Sequence, residues 1–313
     1  MYSYDLEKAK KLVDGMVANS SFERIYPFTT ENISGYIDFF DLKESSLLTV
    51  GSSCDQAINA FLSGCRDVSI LDTNDFFKYY YFLKLACINC FTREEFFNYL
   101  KYCDHPKVFK TNYNSFNVDM FNRIKGELRI LDFKSYMFWD KLYSNYESHE
   151  IRINLFQSDE PRTDELEYYN LYLSNDENYM RVREILENNI PTFINDNVLS
   201  PHTTKTFDNI WLSNITSWLN SYEDIKLSIK NMYNLLNDNG LLQAAYLYRF
   251  NLNQEYHSDW QLVYNTKKIL EELKEYNPEI KYFLGERGIV NKIAGFNYNY
   301  SDSNDAIILC KKR

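Results

Sequence analysis

Gly51 closes a short apolar run, Leu47-Leu48-Thr49-Val50, and stands just ahead of Ala57, Ile58, Phe61 and Leu62, which recur at helical spacing. The order is strand, tight turn, helix. A glycine at the turn lets a ligand approach the backbone closely, and Ser52, Ser53 and Asp55 are each able to cap the helix that follows. Gly64 supplies the stop signal, and a second strand, Val68-Ser69-Ile70-Leu71, ends at the acid Asp72. This β-α-β unit commits the chain to an α/β fold.

Asp72 lies about 20 residues beyond the glycine, where nucleotide-binding folds place the carboxylate that grips ribose hydroxyls. The ligand moiety implied is adenosine. The turn reads Gly-Ser-Ser-Cys-Asp-Gln and lacks the three spaced glycines of a dinucleotide fingerprint. A pyrophosphate at the helix start would also meet the carboxylate of Asp55 where it requires bare amides. S-adenosylmethionine carries a sulfonium and an ammonium and no phosphate, so the same acid would attract it. The plainer reading is an ordinary β-α-β unit in which Asp72 caps the next helix.

A chain of 313 residues with 45% hydrophobic content can build one large or two ordinary domains around a substantial core. Its net charge of -10 argues against nucleic acid as principal partner, because phosphate binding needs clustered Lys and Arg. The 27 Tyr and 22 Phe fit either an apolar, lipid-facing pocket or a bias of composition. No run reaches the roughly 18 uninterrupted apolar residues of a membrane span, since Lys78, Lys84 and Asn89 break the most aromatic stretch, Phe76 to Phe91. Peripheral membrane contact stays open. Met1 is followed by Tyr2, Asp5 and Glu7 rather than by a basic and then an apolar segment, so a cytoplasmic location is expected. Six cysteines in that setting read as reduced thiols. Cys87 and Cys90, with Cys103 and His105, offer zinc-ligand types, but the first pair sits in a helical pattern and the second departs from finger spacing, so no metal site is expected.

In chain order, residues 1–40 read as a helical lead-in and cofactor lid, first through Leu6, Ala9, Leu12 and Val13. In the aromatic segment that follows, Thr29 or Thr30 is placed to cap a helix reaching about Phe40, while Arg24, Tyr26 and Thr30 are expected at the cofactor's amino-acid end. Residues 41–75 and 190–313 form the α/β core. Residues 76–189 read as a helical insertion and substrate lobe, in which Arg152, Arg162, Arg181 and Arg183 are candidates for an acidic substrate group or for surface ion pairs.

Beyond Asp72, Thr73 joins the cofactor candidates. A third strand is expected over 191–196, with Asn195 or Asp196 at an adenine edge, and a fourth over 207–214, whose tip residues Ser213 and Asn214 face the reactive centre. A helix over 222–236, an Asn239-Gly240 turn and a fifth strand over 241–248 follow. A helix over 267–276 and strands over 280–284 and 306–310 complete a count of seven strands. The fold class is a Rossmann-like, mostly parallel seven-stranded sheet with an antiparallel last strand, helices on both faces and a large helical insertion.

The glycine turn, the acid after the second strand, a polar third-strand end and two closing strands together resemble the Rossmann-like S-adenosylmethionine-dependent transferases, over about 40–75 and 190–313. More closely, Tyr26-Pro-Phe-Thr-Thr-Glu-Asn-Ile-Ser-Gly-Tyr36, Leu48 to Ala57 and Asp208-Asn-Ile-Trp-Leu-Ser-Asn214 look like the bacterial relatives of diacylglycerol 3-amino-3-carboxypropyltransferase. The resemblance implies S-adenosylmethionine as cofactor and transfer of a methyl or 3-amino-3-carboxypropyl group to a small or lipid-like acceptor. A non-catalytic protein of the same fold is the alternative. Asn214 and Tyr246 are candidates for the chemistry, with Tyr248, His202 and Glu286 as further candidate bases. Substrate residues and oligomeric state are not assigned.

Overall fold

Neighbouring residues of the first strand are buried in different places, Leu47 in one apolar cluster and Leu48 in another. The same alternation recurs at the far side of the sheet, where Ile307 and Leu309 join the first cluster and Ala306, Ile308 and Cys310 the second. Side chains of a strand point alternately to its two faces, so both faces of this sheet are covered. The protein is seen as a computed structural model that describes residues 22–101, 103–105, 110–111, 115–157, 161, 163–219, 221–248, 270, 273–295 and 304–313.

Seven strands form the sheet: β1 (Ser46–Val50), β2 (Asp67–Asp72), β3 (Thr192–Asn195), β4 (Phe207–Trp211), β5 (Leu236–Leu247), β6 (Glu279–Leu284) and β7 (Asn304–Lys311). Their spatial order is β3-β2-β1-β4-β5-β7-β6. β1 runs parallel to β2 and β4, β2 to β3 and β4 to β5, whereas β7 is antiparallel to both of its neighbours. This is the Rossmann-like architecture expected, with its reversed last strand. The strand order turns back between β1 and β4, which opens a crevice at their carboxyl ends.

The described helices are α1 (Ile33–Tyr36), α2 (Asp55–Leu62), α3 (Phe76–Cys90), α4 (Arg93–Leu100), α5 (Val118–Leu131), α6 (Phe133–Asn145), α7 (Ser148–Leu155), α8 (Thr163–Tyr169), α9 (Asp176–Leu186), α10 (Tyr222–Asn234) and α11 (Glu286–Ile293). Helix α2 and the insertion helices bury their apolar residues in the first cluster, while Ile225, Ile229 and Met232 of α10 enter the second. The insertion and the sheet thus share one core. Helix α3 meets the sheet through Phe77, Tyr81 and Phe82, whose rings pack on Phe193 of β3, and it is tied to the insertion by Trp139 of α6, which donates its indole N–H to the Tyr79 carbonyl at 2.9 Å.

Several boundaries differ from the sequence reading, each for a local reason. The helix before β1 is capped by Asn32 rather than by Thr29 or Thr30, its side chain accepting from the Gly35 amide at 3.1 Å. The helix itself tightens into a 3-10 turn at Ile37–Phe39. β4 stops at Trp211 because Ser213 takes a left-handed φ of 56°. β5 begins at Leu236, ahead of the expected Asn239-Gly240 turn, and absorbs that turn as a bulge: Phe207 pairs with Leu236 and Asn209 with Leu241. The insertion is not wholly helical, since Cys103–His105 pairs antiparallel with Lys110–Thr111. A capping box between Thr92 and Glu95 opens α4. The lead-in helix over 1–20, Arg162, most of 249–272 and the side chains of Cys103, His105 and Glu286 lie outside the described residues.

Candidate functional site

The tip of β1 and the tip of β2 meet at Gly51. A Cβ added there would lie 2.5 Å from Asp72 Oδ2 and 2.9 Å from Cγ of Phe77, so only glycine leaves room for the Asp72 carboxylate against the β1 backbone. Asp72 Oδ2 accepts from the Ser52 amide at 3.2 Å and Oδ1 from the Asn74 amide at 2.9 Å. Burial nevertheless raises its pKa above the usual value, outweighing these amides. The Thr73 amide adds a third backbone hydrogen bond, which leaves one lone-pair direction of the carboxylate for a ribose hydroxyl.

The turn itself is tightly wound, with Ser52 at φ 57° and Cys54 at φ 64°. Its amides are engaged within the protein: Ser52 on Asp72, Cys54 on the Gly51 carbonyl at 3.3 Å and Asp55 on Ser53 Oγ at 3.4 Å. A pyrophosphate binds at a helix start through such amides, and these three are already committed.

Asp55 does not play the part expected of it. Its carboxylate is fully buried and paired with the equally buried Lys84 at 2.6 Å. Tyr172 donates its hydroxyl to the same oxygen at 2.7 Å, and the Thr29 amide donates to the other at 2.6 Å. Lys84 also donates to the Ser53 carbonyl at 2.9 Å, so the insertion helix α3 holds the turn from behind. The charge of Asp55 is compensated inside the core and is not offered to a cation in the turn.

At the tips of β4 and β5 lies a residue that the sequence reading passed over. Glu31 is 2% exposed. It accepts from the Ser213 hydroxyl, from Tyr36 at 3.4 Å and from Gln56. Burial pushes its pKa from 4.5 up to about 7 against those hydrogen bonds, with Asp305 adding to the rise. No cationic side chain is among its partners within the described residues. A folded-state value above the unfolded one means that the protonated form is favoured by folding. The corresponding stability is complete below about pH 4.5 and is lost as the pH rises through about 7, a change of about 3 kcal/mol. Glu31→Gln is therefore expected to flatten the stability profile over that window, gaining on the wild type at pH 8 relative to pH 5. Urea midpoints at the two pH values measure this; a wild-type minus variant difference independent of pH would remove the buried ionisation.

The other expected residues divide into two groups. Thr30 and Tyr248 share a hydrogen bond of 2.7 Å beside Glu31, and Tyr26 and Tyr248 are electrostatic neighbours. Ser213 and Asn214 stand at the β4 tip, next to β1. Tyr246 is nearby but is fully buried, donates to Asp305 at 2.5 Å and accepts the Asn32 amide at 3.0 Å. Burial, with Asp305 adding to it, raises its pKa well above the ordinary tyrosine value, so it is a structural tie rather than a base. On the other side of Asp72, the Asp196 amide donates to the Asp72 carbonyl at 3.2 Å. The side chains there are engaged with each other: Asn195 with Asp75, and Asp196 with the His202 ring at 3.0 Å. Thr73 is exposed.

The arginines expected at the cofactor's amino-acid end or at an acidic substrate group mostly donate to the backbone. Arg24 donates to the Phe156 carbonyl at 3.0 Å, Arg152 to that of Gln157 at 2.9 Å and Arg183 to those of Ile88 and Phe91. Arg181 is exposed. Cys87 is buried and Cys90 exposed, and the described residues hold no group of three or more potential metal ligands.

The chain matches no protein-family model and no curated protein. Solved structures do match in outline. The N-methyltransferase NodS from Bradyrhizobium japonicum WM9, bound to S-adenosylhomocysteine, aligns over 98% of this chain and 86% of its own at 8% identity and a TM-score of 0.36. The pyocyanin biosynthetic protein PhzM aligns over 89% and 53% at 8% identity and a TM-score of 0.39. The magnesium protoporphyrin IX methyltransferase ChlM from Synechocystis PCC 6803, also bound to S-adenosylhomocysteine, aligns over 88% and 78% at 8% identity and 0.36. Likeness at this level says nothing of this chain's chemistry, which has to come from its own residues.

Proposed function

We propose that the protein is an S-adenosylmethionine-dependent transferase whose donor lies across the crevice between β1 and β4. The observation that carries this reading is the junction of Gly51 with Asp72, a carboxylate held at a strand tip beside a turn whose amides are used internally. That combination favours an adenosine without phosphates. The acids Glu31, Asp72 and Asp305 give the neighbourhood a negative sign, which suits a donor bearing a sulfonium and an ammonium. When bound, the donor supplies an electrophilic carbon attached to positively charged sulfur.

The chain's own part is to hold and orient. Asp72 grips the ribose, the Gly51-Ser52 backbone passes beneath the adenosine, and Ser213 and Asn214 face the carbon under attack. Tyr26, Thr30 and Tyr248 close the side toward residues 22–40, which act as a lid. Positioning of this kind supplies much of the rate in a displacement reaction. The helical insertion selects a small or lipid-like acceptor.

Calorimetry with S-adenosylmethionine tests the donor, and the absence of binding would refute it. The product then separates the two possible reactions. Methyl transfer leaves S-adenosylhomocysteine, and aminocarboxypropyl transfer leaves methylthioadenosine. Binding without either product would mark a non-catalytic protein.

A further inference from the structure

Ser213 is held in a conformation that a serine rarely adopts, with a φ of 56°. Three hydrogen bonds keep it there: its amide donates to Gln243 Oε1 at 3.2 Å, its carbonyl accepts the Tyr246 amide at 2.8 Å, and its hydroxyl donates to Glu31. Strained backbone maintained by several partners marks positions where a side chain is aimed for a purpose. Here the hydroxyl stands at the β4 tip, beside β1, with a buried carboxylate behind it.

We propose that Ser213 and Glu31 form the proton-accepting couple of the site and that the acceptor nucleophile is an amine. This rests on the donor reading above. The amine nitrogen lone pair forms the new N–C bond, and the C–S bond breaks with its electron pair passing to sulfur. The N–H proton moves to Ser213 Oγ as the serine's own proton moves to Glu31. Ser213 touches the acceptor; Glu31 is the positioning and proton-holding residue behind it.

The choice of an amine rests on the placement of two buried carboxylates, Glu31 and Asp305, behind the Ser213 hydroxyl, and proton affinities support it. Glu31 near 7 lies about one unit below a typical α-amino group, a tenfold factor, but almost nine units below a water-like hydroxyl. An amine that arrives protonated is also a cation entering a site where Glu31 and Asp305 are both buried acids; its extra proton then passes through Ser213 to Glu31 before the attack, which frees the lone pair, and the product leaves as an ammonium. The titratable groups facing Glu31 are Asp305 from β7, Tyr36 from α1, and Tyr246 and Tyr248 from β5 and the residue after it. The three tyrosines are pushed well above 10 by burial and stay neutral across the physiological range.

The test compares two adenosyl probes on the full-length chain by calorimetry. Sinefungin carries a primary amine in place of the sulfonium methyl, and S-adenosylhomocysteine carries none. The wild type is expected to prefer sinefungin at least tenfold at pH 8 and to lose that preference below pH 7, as Glu31 takes up a proton. Glu31→Gln is expected to lose the preference, read as the ratio of its own two affinities, with circular dichroism reporting that it is folded. Ser213→Ala should reduce it. A wild-type preference at pH 8 that survives unchanged in Glu31→Gln overturns the inference. A wild type that binds neither probe overturns the donor reading and the inference with it.

Discussion

Lys84→Met is expected to lower the free energy of unfolding by about 3–5 kcal/mol. The substitution nearly preserves side-chain length but leaves the Asp55 carboxylate buried with no counter-charge. Both partners are wholly buried, so solvent cannot take the place of the missing ammonium. A loss of this size is a large share of the 5–15 kcal/mol that stabilises a typical domain. Urea denaturation followed by circular dichroism measures it. Pairing the change with Asp55→Asn removes the orphaned charge and is expected to recover much of the loss, because the amide oxygen can still accept from the Thr29 amide while its NH2 donates to the Tyr172 hydroxyl oxygen. A single variant as stable as the wild type would show that the pair carries no weight in the fold.

Asp72→Ala is expected to weaken S-adenosylmethionine binding by about 10- to 100-fold while leaving the unfolding free energy near that of the wild type. The two effects have separate causes. Hydrogen bonds from ribose hydroxyls to a carboxylate are charge-assisted and contribute roughly 1.5–3 kcal/mol, which is about a tenfold to hundredfold change in affinity. In the unliganded protein the same carboxylate is disfavoured by burial, so its removal costs folding little. Calorimetry gives the affinity and urea denaturation the stability. Unchanged affinity in Asp72→Ala would place the ribose elsewhere.

Much of this architecture was legible before any coordinates. The strands around Leu48, Ile70, Ile210, Ala244 and Ile308 stand where the apolar runs put them, and the reversed last strand is present. The Gly51 turn and Asp72 meet as their spacing required. What escaped were the roles of particular charges. Lys84 reads in the sequence as a polar break in an aromatic run, a mark of exposure, yet it is fully buried between the Phe28 and Tyr80 rings and against Asp55. Glu31 sits inside the quoted Tyr26 to Tyr36 segment, but nothing in its neighbours distinguishes it from Glu23. Its partner Ser213 lies 182 residues away.

Tyr246 and Arg24 show the opposite pattern. Each was expected at the site from its residue type and place in the chain, and each makes a hydrogen bond within the protein, to Asp305 and to the Phe156 carbonyl. Strand, turn and helix follow from residues adjacent in the chain, because alternation and helical spacing are local properties of the backbone. Whether a carboxylate is compensated, as Asp55 is, or left to hold a proton, as Glu31 is, depends on which distant groups and how little water surround it. Only the folded arrangement of the insertion, the β4 tip and the Gly51 turn decided that.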